Sequence, residues 1–94
     1  MKESNLIDRI KAYLKSVDKL FFYKEHGGQY GTSGIPDLIV CYRGRFIAFE
    51  VKTEKGKTTV LQEMTIRKII KAGGFALVVR SVEDVRAVID SLKR

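Results

Sequence analysis

Residues 34–52 read GIPDLIVCYRGRFIAFEVK. Two runs rich in β-branched and aromatic residues, Leu38 to Tyr42 and Phe46 to Val51, flank Arg43, Gly44 and Arg45, which is the pattern of a β-hairpin. Pro36 suits the first position of a strand, where no ladder donor is needed. With Arg43 and Gly44 as a two-residue loop, Tyr42 faces Arg45, and the register runs back until Asp37 lies opposite Glu50. Side chains alternate along a strand, so Glu50 and Lys52 share that face, while Ile47, Phe49 and Val51 point to the other with Leu38 and Val40. A three-residue loop would shift the pairing by one and put Asp37 on the face away from Glu50.

Two carboxylates directly across a strand pair repel each other. An apolar hairpin that keeps them needs a compensating cation, and a divalent metal with oxygen ligands supplies one.

Upstream, Leu20 to Tyr23 reads as a short first strand beside the hairpin. The loop from Lys24 to Pro36 holds Gly27, Gly28, Gly31 and Gly34, which permit close approach by a ligand. Its Lys24, His26, Gln29, Tyr30, Thr32 and Ser33 are donors suited to phosphates. The glycine spacing matches neither a P-loop nor a dinucleotide fingerprint, and a plain flexible connection is the alternative. His26 has no second His or Cys at metal spacing and reads as a loop residue in reach of substrate. Still earlier, Leu6, Ile7, Ile10, Tyr13, Leu14 and Val17 recur with helical spacing, predicting an amphipathic helix over 3–18. Glu3 stands on the apolar side of that helix, where a carboxylate needs a partner. Two readings are open for it: it reaches the acidic cluster directly or through water, or it is a first-turn acid favoured by the helix dipole, with Ser4 or Asn5 as an alternative cap.

Downstream, residues 53–57 (TEKGK) form a polar, basic loop whose Lys55 and Lys57 are further candidates for phosphate contact. Thr58 or Thr59 caps a second helix with Leu61, Met64, Ile66, Ile69 and Ile70 as its buried stripe, ended by Gly73 and Gly74. Gln62, near the start of that helix, falls over the face of the acidic cluster, where its amide orients a water, Lys52 or a phosphate, or else is a surface residue without a role. Residues 75–79 (FALVV) are the continuous apolar run expected of a strand buried on both faces, joined to the hairpin by a βαβ crossover. Ser81 opens a last helix with Val82, Val85, Ile89 and Leu92 inside. The order α-β-β-β-α-β-α is that of an α/β domain, a mixed sheet flanked by helices.

Ninety-four residues with 45% apolar content suit one domain over 1–94. Lys and Arg outnumber Asp and Glu by 18 to 11, and the net charge of +7 favours a polyanion, nucleic acid first among them. No apolar run reaches membrane-spanning length and no signal-peptide pattern stands at Lys2, Glu3 and Ser4, so a soluble, cytoplasmic protein with no membrane partner is expected. The lone Cys41 builds no disulfide framework and reads as a small core hydrophobe.

The GIPD motif ending at Asp37 and the FEVK motif ending at Lys52, set on adjacent strands, resemble the PD-(D/E)xK nuclease superfamily. Glu3 ahead of the first helix, the glycine-rich loop and Gln62 bring the resemblance closer to the virus-type replication-repair nuclease (VRR-NUC) family, over nearly the whole chain. The resemblance implies a restriction-endonuclease-like core, and Mg²⁺ or Mn²⁺ held by Asp37, Glu50 and the carbonyl of Val51. Lys52 takes the place of the catalytic lysine, and Glu3 and Gln62 those of the helix residues. It implies an endodeoxyribonuclease that leaves a 5′-phosphate and a 3′-hydroxyl. It implies also a homodimer acting on branched DNA such as four-way (Holliday) junctions, in replication, repair or recombination. A non-catalytic basic nucleic-acid-binding module would account for the charge alone. A structural domain with a Glu50–Lys52 ion pair would leave Asp37 unexplained.

Overall fold

The computed structural model of the chain describes residues 1–26 and 33–93. Its elements are α1 (Glu3–Lys15), β1 (Leu20–Lys24), β2 (Leu38–Tyr42), β3 (Arg45–Val51), α2 (Val60–Lys71), β4 (Phe75–Val79) and α3 (Val82–Ser91), in the order expected. The four strands form one sheet in the order β1-β2-β3-β4. The first two pairings are antiparallel and β3 runs parallel to β4, across the connection made by α2.

The hairpin turns on residues able to take its geometry. Arg43 and Gly44 have φ of 51° and 84°, and two successive positive values are the mark of a type I′ turn, whose twist matches a two-residue hairpin loop. Tyr42 accordingly pairs with Arg45 and Leu38 with Phe49. One further step along this register sets Asp37 opposite Glu50.

One face of the sheet carries the core. Leu38, Val40, Tyr42, Ile47, Phe49, Val51 and Val79 are buried there against Leu6, Ile7, Ile10 and Leu14 of α1 and Val85 and Ile89 of α3. Ile10 has no exposed surface, and truncating such a residue to alanine costs about 2–5 kcal/mol. Helix α1 stops short of the expected residue 18: the Ser16 hydroxyl donates to the Tyr13 carbonyl at 2.6 Å, and Lys19, with φ of 61°, turns the chain into β1.

The other face is only half covered. Helix α2 packs against β4, is capped at its start by Thr59 and ends in a Schellman arrangement, with Gly73 N–H donating to Ile70 O and Gly74 N–H to Ile69 O, each at 3.0 Å. The stripe expected to be buried on it is not: Ile66 and Ile69 are half-buried, while Leu61, Met64 and Ile70 are exposed. The cause is placement, since α2 packs mainly on β4 at one side of the sheet and the β1–β2 part of that face, with Phe21, Tyr23 and Cys41, is open. Cys41 is therefore a surface residue and not part of the core. Strand β4 differs from expectation for a related reason. It lies at the sheet edge, so that Ala76 and Val79 are buried while Phe75 is exposed.

Candidate active site

Asp37 sits just ahead of β2, and its position is fixed by both main chain and side chain. Its carbonyl accepts the Glu25 N–H at 2.7 Å and its Oδ2 accepts the Val51 N–H at 2.8 Å. Lys24 Nζ stands 3.8 Å from Asp37 Oδ1 and donates to the Glu25 carbonyl at 2.8 Å. The carboxylate at the start of one strand is thus pinned to the main chain at the end of the next, immediately after Glu50.

Glu50 is the buried charged residue among those described, with 2% of its surface exposed. Its Oε2 lies 3.4 Å from Lys52 Nζ and accepts from Gln62 Nε2 at 3.2 Å. Its Oε1 is buried without a hydrogen-bond partner. Burial first, and then the negative charge of Asp37 beside it, push the Glu50 carboxyl up from 4.5 to about 7, against the smaller opposing pull of Lys52. Lys52 continues the parallel ladder by donating its N–H to Val79 O at 3.0 Å.

Gln62 reaches this pair from α2 by way of a capping box. Thr59 Oγ1 accepts the Gln62 N–H at 3.1 Å and Gln62 Oε1 accepts the Thr59 N–H at 2.9 Å. The amide nitrogen is left over for Glu50. One side chain therefore closes the helix start and grips the carboxylate. The Thr59-x-x-Gln62 spacing carried this signal in the sequence.

Glu3 is not drawn in. It lies exposed in the first turn of α1, behind Lys2 as the N-cap, where a carboxylate complements the helix dipole. Among the described residues no three His, Cys, Asp or Glu side chains gather to hold a metal ion. Of the candidate phosphate contacts, His26, Ser33, Lys55 and Lys57 are exposed, Lys24 is engaged with Asp37, and Tyr30 lies outside the described residues.

What Asp37, Glu50 and the Val51 carbonyl offer is a small set of hard oxygen donors. The partnerless Oε1 and the mutual repulsion of the two carboxylates fit a divalent cation of the Mg²⁺ or Mn²⁺ type.

Sheet topology and flanking helices together define a restriction-endonuclease-like α/β domain. No protein-family model matches the sequence, and no curated protein does. A solved structure described as a VRR_NUC domain superposes with a TM-score of 0.77 at 28% identity, covering 94% of each chain. A second, described as a VRR_NUC domain protein, gives 0.73 at 20% identity over 96% of this chain and 86% of that one, a likeness of fold. The first of these likenesses supports a VRR-NUC family assignment, a family of nuclease domains. No helix among the described residues is long and apolar enough to cross a membrane.

Proposed function

We propose that the domain hydrolyses phosphodiester bonds of DNA with the aid of Mg²⁺ or Mn²⁺. The observation that carries this reading is the Glu50 carboxylate, buried beside Asp37 with one oxygen unpartnered and its carboxyl pushed up to about 7. A hairpin otherwise filled with apolar side chains has no structural use for two facing carboxylates.

Asp37, Glu50 and the carbonyl of Val51 are the groups that would hold the ion. Once bound, it supplies positive charge to polarise a scissile phosphate. Lys52, with its ammonium 3.4 Å from Glu50 Oε2, presents a compact cation with three donors. It orients the attacking water and stabilises the negative charge that develops on the phosphate. Gln62 holds Glu50 in place from the helix start. The net charge of +7, with Lys24, His26, Tyr30, Ser33, Lys55 and Lys57 as candidate contacts, suits a phosphate backbone read without base specificity.

The reading extends to a two-fold homodimer that prefers branched DNA such as a four-way junction. In its support, Val60, Leu61, Met64 and Ile70 of α2 are exposed, as are Phe21, Tyr23 and Phe46 on the sheet. Apolar surface on this scale marks an interaction site, and an isologous contact would cover it on both copies at once. Two sites related by a two-fold axis suit paired cuts across a junction.

The test is a panel of labelled linear, flapped and four-way DNAs with Mg²⁺, with Mn²⁺ and with EDTA. Metal-dependent cleavage is expected, fastest on the four-way substrate and absent in Asp37→Asn. No cleavage of any substrate with either metal refutes the nuclease. Light scattering should report twice the mass of one chain, and a monomer refutes the dimer.

A further inference from the structure

Three backbone carbonyls of one turn converge on a single guanidinium nitrogen. Arg80 Nη1 lies 2.6 Å from Thr53 O, 2.8 Å from Gly56 O and 3.4 Å from Glu54 O. The turn is closed by the Gly56 N–H, which donates to Thr53 O at 3.0 Å. On its outer side Glu54 and Lys55 are exposed, and the turn borders a cleft of about 410 Å³ lined by Met1, Leu6, Thr53, Glu54, Lys55 and Arg80. The exposed tip of the turn, Glu54 and Lys55, is thus held from its backbone side by the bonds from Arg80.

The inner side of the turn lies on Lys52. A Cβ added at Gly56 would come within 3.3 Å of Lys52 Cδ and 3.4 Å of Lys52 Cβ, so the glycine leaves just enough room for the lysine stem. Arg80 is itself fixed. Its N–H donates to Asp84 Oδ2 at 2.8 Å, and the Asp84 N–H donates to the hydroxyl of Ser81, the N-cap of α3, at 3.1 Å. The residue before it, Val79, accepts the Lys52 N–H. The end of β4 thus holds Lys52 twice, by its main chain directly and by its stem through the turn. Lysine is a flexible four-carbon chain, and this confinement directs its ammonium to Glu50.

We infer that Arg80 is a positioning residue for Lys52, acting through the turn at residues 53–56. Its importance for cleavage rests on the nuclease reading above, whereas its effect on Lys52 does not. Arg80→Met removes the three bonds while keeping a long apolar stem. Arg80→Lys keeps a cation able to donate to several carbonyls. Gly56→Ala leaves Arg80 intact and presses on the Lys52 stem directly, which provides a second probe if Arg80→Met folds poorly.

In metal-free protein, the NMR resonances of the Lys52 side-chain Cε and Nζ should move in Arg80→Met and in Gly56→Ala, and return towards wild type in Arg80→Lys. In single-turnover cleavage, Arg80→Met and Gly56→Ala should lower the maximal rate roughly tenfold to a hundredfold, the loss that a small misplacement of a reacting group produces. The KM for DNA should stay within about twofold. Lys52 resonances that do not move in the folded variants overturn the inference, and so does a raised KM at an unchanged maximal rate, which would make Arg80 a phosphate contact. Resonances that move in a protein that cuts no DNA bear out the positioning and count against the nuclease reading alone.

Discussion

Replacing Glu50 with Gln removes a titration that burial and the charge of Asp37 have displaced, and the consequence can be worked out before it is measured. The folded carboxyl lies at about 7 against 4.5 for its ordinary value. At about 1.4 kcal/mol for each tenfold change, that displacement amounts to about 3 kcal/mol. The sign follows from which state holds the proton. Below pH 4.5 Glu50 is protonated whether the chain is folded or not, and the full contribution is present. As the pH rises through about 7 the unfolded chain has already released its proton, the folded chain is forced to release its own, and the contribution is lost. In EDTA the wild type should therefore lose about 3 kcal/mol relative to Glu50→Gln between pH 4 and pH 8, or roughly 10 to 20 °C in Tm for a domain of this size. Urea unfolding of both proteins at several pH values measures the difference directly and cancels the titrating groups that lie away from Glu50. A difference between the two that stays flat across this range would refute the claim that the fold holds this carboxyl protonated. Saturating Mg²⁺ should abolish the alkaline loss in the wild type, because an ion bound only by the folded state offsets the repulsion, and should leave Glu50→Gln nearly unchanged.

Four further substitutions separate the roles within the site. Asp37→Asn should stabilise the metal-free protein at pH 8, where both carboxylates are charged, and move the Glu50 transition to lower pH, while eliminating cleavage; a metal-free melting curve at pH 8 that falls below wild type would mean that the bond from Val51 N–H to Asp37 outweighs the repulsion. Lys52→Ala should abolish cleavage yet leave metal and DNA binding largely intact, since the lysine serves the transition state; near-wild-type cleavage at saturating Mg²⁺ removes it from the mechanism. Gln62→Ala and Thr59→Ala should each cost about 1 kcal/mol through the shared capping box, but only the former should also impair cleavage, because only Gln62 touches Glu50; equal effects of the two on cleavage would reduce Gln62 to a helix cap.

The hairpin was legible in the sequence because its register depends on local geometry alone. A loop of Arg43 and Gly44, with period-two patterning on either side, leaves one way to pair the strands, and the opposition of Asp37 and Glu50 follows from it. The positions of α1 and α3 followed for a similar reason, since their apolar stripes meet a sheet face that is itself uniformly apolar. What the pattern did not reveal was coverage. Leu61, Met64 and Ile70 have the spacing of a buried stripe, and periodicity reports which residues share a helix face without reporting whether anything lies beneath it. FALVV reads as a central strand for the same reason, as an edge position is a property of the whole sheet. Glu3 has the spacing of the apolar side, yet the helix begins at that residue, and Glu3, Ser4 and Asn5 are all exposed. Arg80 could not be picked out from sequence at all: its carbonyl partners lie 24 to 27 positions earlier in the chain and carry no side-chain signal.

The place of β4 at the margin of the sheet has a consequence for how the protein must be handled. FALVV has high β-propensity and contains neither charge nor proline, so its outer row of backbone groups is a template on which another extended chain can grow. Lys71 lies shortly before it, across the Gly73 and Gly74 turn, and Arg80 follows immediately, charged gatekeepers at either end. Both are cations in a chain of net charge +7, so their protection is electrostatic and weakens as salt screens it. The ionic strength that loosens the protein from a polyanion is thus the same condition that exposes its margin to cross-β growth.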